Sequence, residues 1–225
     1  MCGRFALTLP HEAMAQVFDA AIGGALMPVP RYNICPTQHI TVAVSRDDGR
    51  HLVAMRWGFL PHWYKTDRDG PLLINARAET IADKPAFRAA CRERRCLIPA
   101  TGFYEWTKDD SGNRLPWYIH PADAPVIAFA GIWQDWAQPG GGGDVVLSTC
   151  AIVTTAANEA MSAIHHRMPV SLTPDQYGLW LGEEGKGAAA LMQAAPEDRF
   201  VCHRVAPRVN SNQPDDADLI APFDG

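Results

Sequence analysis

A chain of 225 residues, 47% apolar and 20% charged, has the size and composition of a globular protein that can bury a substantial core. It contains no run of about 18 apolar residues, which excludes a spanning helix, and its start lacks the basic and apolar regions of a secretory signal. The net charge of −5 argues against a protein basic all over, but residues 1–108 carry 14 Lys and Arg against 10 Asp and Glu, while residues 109–225 carry 6 against 15.

The opening MCGRF reads as the start of neither a helix nor a strand. The spacing predicts a helix over 10–21, with Pro10 near its first turn. Short apolar or alternating runs predict strands at 39–45 and 51–58, joined as a hairpin through Arg46-Asp47-Asp48-Gly49. A helix over 85–95 follows, then strands at 96–98, 102–106, 117–120, 126–133 and 145–154. A short helix to about 164, one opening at Thr173-Pro174-Asp175, one from 187 to about 195 and a strand at 200–205 complete the order. Pro139-Gly140-Gly141-Gly142-Gly143 reads as a surface loop, because the strands on both sides need each other. Many short strands without an internal repeat predict an α+β fold, with antiparallel sheets forming a barrel-like core flanked by helices. One domain over 1–225 is expected, ending in an acidic tail from about 213.

The six cysteines (2, 35, 91, 96, 150 and 202) form no C-x-x-C pair, so neither a zinc ribbon nor a disulfide framework is indicated. Cys35, Cys91, Cys150 and Cys202 sit among apolar residues and are expected to be small buried hydrophobes. Cys2 differs, because its neighbours are not core-like. A small residue at position 2 allows Met1 to be removed, and the chain would then open with an exposed α-amine and a thiol on neighbouring carbons.

Three further stretches carry chemistry. In LINARAET the polar Asn75 and Arg77 stand two apart and share a strand face. GFYEW places Glu105 in an aromatic strand, where a desolvated carboxylate has a raised pKa. IHHRMPV puts His165 and His166 after a helix and before a proline. Singly, each has a structural explanation as a turn amide, a surface glutamate or a helix-capping histidine. With Cys2 they supply a nucleophile, an amide, an acid and an imidazole, which is the composition of a catalytic site. Arg4, Arg31, Arg56 and Arg77 cluster near these motifs, so a basic groove on an acidic protein is open.

Six segments in one order, MCGRF, RYNICPTQ, RWGFLPHWY, LINARAET, GFYEW and the IVTTAAN–IHHRMPV block, resemble the SRAP family of abasic-site-processing proteins. The likeness runs from residue 2 to about 170, and VNSNQPDDADLI is similar to the family's closing segment. It implies recognition of abasic sites in single-stranded DNA and a covalent thiazolidine crosslink through Cys2. It further implies Glu105 as general acid/base, His165 in opening the sugar ring, and Asn75 in holding the sugar and Cys2. His166 is the weaker of the two imidazoles. Implied DNA contacts are Arg4 and Arg77 to phosphates, Trp106 near the lesion, Pro36 and Trp63 as apolar surfaces interrupting the stack, and Thr154 to a phosphate. Trp63 and Trp106 have core packing as their alternative, and Tyr64 departs from the tryptophan of some relatives. No H-E-x-x-H or paired-cysteine spacing points to a metal, and neither a cofactor nor a membrane is expected, while the resemblance implies a monomer and a cytoplasmic protein that associates with the nucleoid when engaged on DNA. Two other readings stand beside it. A cysteine peptidase would use Cys2 with His165 and Glu105, and a non-covalent single-stranded-DNA binder would leave Cys2 inert.

Overall fold

A two-residue turn at Asp47-Asp48, closed by Gly49 at φ 122°, joins the hairpin that seeds the architecture. That φ lies in the region glycine tolerates and other residues avoid. The computed structural model describes residues 2–138 and 146–223, so the glycine-rich run at 139–143 lies outside the described residues. The strands are β1 (Phe5–Leu7), β2 (Ala20–Ile22), β3 (Arg31–Ile34), β4 (His39–Arg46), β5 (Gly49–Trp57), β6 (Asn75–Arg77) and β7 (Arg95–Ala100). They continue with β8 (Gly102–Lys108), β9 (Arg114–Pro121), β10 (Ile127–Ala137), β11 (Val146–Ala156), β12 (Arg167–Pro169), β13 (Ser171–Leu172) and β14 (Phe200–Arg204). Four short α-helices are α1 (His11–Phe18), α2 (Arg88–Glu93), α3 (Glu159–Ser162) and α4 (Tyr177–Leu181). Among the described residues no helix is long and apolar enough to cross a membrane.

Five strands close on themselves. β4 pairs with β5, β5 with β11, β11 with β10, β10 with β7, and β7 returns to β4 through Leu97 and Ala43. The β5–β11 seam is parallel, matching Arg56 to Thr149 and Trp57 to Cys150, whereas the other four pairings are antiparallel. Closure removes the free edges that an open sheet would expose. A second, fully antiparallel sheet runs β14-β9-β8-β1-β3. The two meet through aromatic side chains: Phe5 of β1 lies edge-on to Trp57 at 5.1 Å and to Phe129 at 6.2 Å, and Phe103 of β8 meets Phe129 at 5.7 Å.

The barrel expected from the spacing of short strands is present, with several elements displaced. MCGRF, read as neither helix nor strand, leads into β1, which sits between β3 and β8. All three β1 residues are buried, so no alternation marks the strand. The helix expected over 10–21 stops at Phe18, because Asp19 turns left-handed (φ 47°, ψ 57°) and Ala20–Ile22 then pairs with β5. The helix expected over 187–195 shrinks to the 3-10 turn Ala188–Leu191. Cys35 and Cys150 are buried as expected, but Cys91 is half-buried and Cys202 is exposed, as strand β14 turns it outward.

The closing segment straps across the second sheet rather than trailing as a tail. Val205, Val209 and Leu219 bury against Ala6, Tyr104 and Tyr118, while Asp215 accepts from the backbone N–H groups of Tyr32 and Asn33. Gly102, which opens β8, makes room for one of these rings: a Cβ there would lie 2.3 Å from the buried Tyr118 ring. Gly102→Ala is therefore expected to cost about 1–3 kcal/mol by overpacking, measured as a lowered denaturant midpoint at unchanged slope.

Candidate active site

The first residues run alongside β8, because Tyr104 N donates to Arg4 O at 2.9 Å and Phe5 stands opposite Phe103. Cys2 thereby lies within the field of Glu105. The side-chain amide of Asn75 donates to Cys2 O at 2.9 Å. Asn75 is held there by the parallel pairing of β6 with β11, which matches Asn75 to Ile152 and Arg77 to Thr154. Its Oδ1 is buried and makes no hydrogen bond among the described residues. A buried acceptor left open is costly unless a ligand uses it.

His165 follows α3, its backbone N–H closing on Met161 O at 2.9 Å. Arg167 N–H points at His165 Nδ1 from 3.0 Å, and because an N–H can only donate, the neutral ring accepts there and keeps its proton on Nε2. Arg167 O lies 3.1 Å from the same nitrogen and can accept from it when the ring is charged. Both protonation states are thus provided for. His166 stacks on His165 with ring centroids 4.4 Å apart, and its charge is felt at Glu105.

Burial sets the electrostatics. Glu105, 2% exposed, has its carboxyl pKa pushed up by desolvation, while desolvation pulls the His165 imidazole down. A carboxyl raised toward working pH is suited to general acid/base work, and a lowered imidazole stays neutral at that pH. His166 is lowered chiefly by the neighbouring His165. Cys2 was expected to be exposed. In the chain that carries Met1 it is instead fully buried, and burial followed by the Glu105 charge pushes its thiol well up. Cys2 packs into the main hydrophobic core itself, while Gly3 and Arg4 between it and β1 are only half-buried.

The residues expected at DNA are distributed unevenly. Arg77 is exposed, Trp63 is 47% exposed, and Pro36 and Trp106 are half-buried. Trp106 Nε1 donates to Asn210 Oδ1 at 2.7 Å, and the Arg114 guanidinium lies 4.4 Å over its ring. Arg4 Nη1 is held by Asn33 Oδ1 at 2.6 Å, Val209 O at 3.0 Å and Ser211 O at 3.2 Å. Thr154 is fully buried. It accepts from Arg167 Nη2, through its carbonyl at 2.7 Å and its hydroxyl at 3.3 Å, and so faces the protein rather than solvent. The sequence reading gave no role to Asn210 or Asn33, and no local pattern marks residues whose task is to hold others.

The fold is shared with a solved Bacteroides thetaiotaomicron protein, TM-score 0.86 at 24% identity over 99% of this chain and all of that one. A phage-related protein of Bordetella bronchiseptica has TM-score 0.69 at 30% identity, covering 91% and 94%. The profile of the SOS response associated peptidase (SRAP) family matches residues 1–212, and the chain belongs to that family. Abasic site processing protein YoqW of Bacillus subtilis is 35% identical over 98% of this chain and 99% of its own. YedK of Escherichia coli is 32% identical over 99% and 100%, and HMCES of Pongo abelii 29% identical over 100% of this chain and 77% of its own. Both carry the same abasic-site-processing description.

Proposed function

We propose that this protein recognises abasic sites in single-stranded DNA and, once Met1 is removed, binds them covalently through Cys2. The observation that carries the reading is the convergence at Cys2: Asn75 holds its carbonyl, and the charge of the buried Glu105 acts on its thiol. The relatives' description as abasic site processing proteins supports the same chemistry.

An abasic deoxyribose in its open form carries an aldehyde at C1′. The α-amine of Cys2, with an ordinary pKa of about 8, adds to that carbon, and loss of water leaves an imine. The thiol then adds across the C=N bond. The new S–C bond closes a five-membered thiazolidine, and the sulfur's proton ends on nitrogen. Glu105, with its raised pKa, moves protons in both steps. His165 assists sugar-ring opening, and the open Oδ1 of Asn75 accepts from a sugar hydroxyl. Arg4, Arg77, Trp106, Pro36 and Trp63 hold the strand without reading its bases. The protein works as a cytoplasmic monomer that joins the nucleoid when bound. A peptidase would need Cys2 as thiolate, and burial acts against that form.

Protein lacking Met1, mixed with single-stranded DNA carrying one abasic site, is expected to give a heat-stable shifted band on a denaturing gel. Absence of that band overturns the reading. Protein that retains a tag before Cys2 is expected to lose the band, and a tagged adduct of equal yield rules out ring closure.

A further inference from the structure

Arg56 at the end of β5 is only 7% exposed and lines a cavity of about 430 Å³. Its Nη1 donates to Gly58 O at 2.7 Å, and among the described residues it forms no ion pair. Burial depresses its pKa, as expected for a guanidinium with no carboxylate in contact, although the Asp67 charge acts on it from a distance. Its other guanidinium nitrogens are not among the buried atoms left unpaired, so they keep access to solvent and can donate to a ligand in the cavity. The floor of the cavity is apolar and aromatic, formed by the buried Phe59, Leu60 and Tyr64, with the exposed Leu72 at its edge. Its remaining charged residues are Arg68, Asp67 and Asp69, so the lining as a whole is electrically balanced. A bare anion therefore fits it poorly.

The walls are fixed. Tyr64 O accepts from Trp136 Nε1 at 3.0 Å, and Tyr64 hydroxyl reaches Pro71 O at 3.3 Å. Asp69 turns the intervening loop by accepting from Lys65 N at 2.6 Å. Two lining residues, Thr37 and Tyr64, each follow directly after one of the apolar surfaces expected to interrupt base stacking, Pro36 and Trp63. A base unstacked there has this cavity beside it.

We infer that the cavity accepts a guanine base from the DNA strand that diverges at Pro36 and Trp63, with Arg56 donating to O6 and N7 and Asp67 accepting from N1–H and the exocyclic amine. A flat aromatic base suits the apolar floor. Only guanine lets both groups pair in two-pronged fashion, O6 and N7 with the guanidinium and N1–H and the amine with the carboxylate; each other base offers the carboxylate a single N–H. The inference rests on the proposed role at abasic sites and deepens it: the protein would read one base near a lesion that itself carries none.

The test measures binding of the Met1-free protein to lesion-free junctions of duplex and single strand by fluorescence anisotropy, with each of the four bases in turn at the first two unpaired positions. Guanine at one of these positions is expected to bind at least about fivefold more tightly than the others. Replacing it with 7-deazaguanine, which lacks the N7 acceptor, is expected to remove most of that preference in the unaltered protein. Arg56→Met should level the four bases, and should it fail to fold, the exposed Asp67→Asn should weaken guanine binding alone. Affinities within twofold for all four bases, or equal binding of 7-deazaguanine, overturn the inference. Guanosine monophosphate that displaces the guanine junction at equal concentration would assign the cavity to a free nucleotide and overturn the DNA assignment. Crosslinking to abasic DNA without a guanine preference overturns this inference alone. A guanine preference without crosslinking overturns the reading it rests on.

Discussion

Cys2→Ala is expected to abolish the heat-stable adduct with abasic single-stranded DNA, a fall of about 10³-fold or more in crosslinking rate. An N-terminal alanine keeps the α-amine and can still form an imine with the aldehyde. It has no second nucleophile to close the ring, so what forms hydrolyses on heating. Cys2→Ser separates the same steps, because a hydroxyl is a far weaker nucleophile toward the imine carbon than sulfur. Affinity for abasic DNA before reaction should change by less than about twofold, since the expected strand contacts lie on Arg4, Arg77, Trp63 and Trp106 rather than on Cys2. Denaturing gels give the adduct, and anisotropy of freshly mixed samples gives the affinity. An alanine variant that crosslinks at the normal rate overturns the mechanism.

Glu105→Gln is expected to slow crosslinking by about 10²–10⁴-fold, the usual worth of a positioned general acid/base. The same substitution has a predictable effect on stability. Burial raises the folded-state pKa of Glu105 above its ordinary carboxylate value of about 4.3. As pH climbs past that value the unfolded chain gives up its proton while the folded chain keeps it, so the unfolded state binds fewer protons and stability falls. The loss accumulates until pH passes the raised folded value, and is absent below the unfolded one. A glutamine, uncharged throughout, escapes it. The Tm advantage of Glu105→Gln over the unaltered protein should therefore grow from pH 4 toward neutrality. A constant difference across that range would mean that Glu105 is not desolvated.

The residues that gather around Cys2 were legible because they are types that have few structural reasons to occur where they do. A glutamate inside GFYEW, two histidines before a proline, and Asn75 two positions from Arg77 each break the pattern of their surroundings. Exposure was not legible in the same way. Cys2 packs into a core assembled from elements remote in sequence, with Asn75 of β6 closing on its carbonyl. Thr154 fails as a surface residue for a similar reason: β11 pairs with β6 and β12 around it. The hairpin at 46–49 was readable from local turn chemistry, whereas the parallel seam that closes the barrel leaves no local trace. Nor did the acidic closing segment announce that Asp215 would tie down Tyr32 and Asn33, since its pattern alone reads as solvated charge.

That seam has a consequence for biosynthesis. β11 is the last of the five barrel strands to leave the ribosome, and Asn75 is fixed against Cys2 only when β6 has found it. β1 is covered by β3 and β8, which leave the ribosome well before β11, but the hold of Asn75 on Cys2 waits for β11. On the proposed reading Met1 has to leave before that last contact forms, so trimming of the first residue and completion of the barrel compete in time.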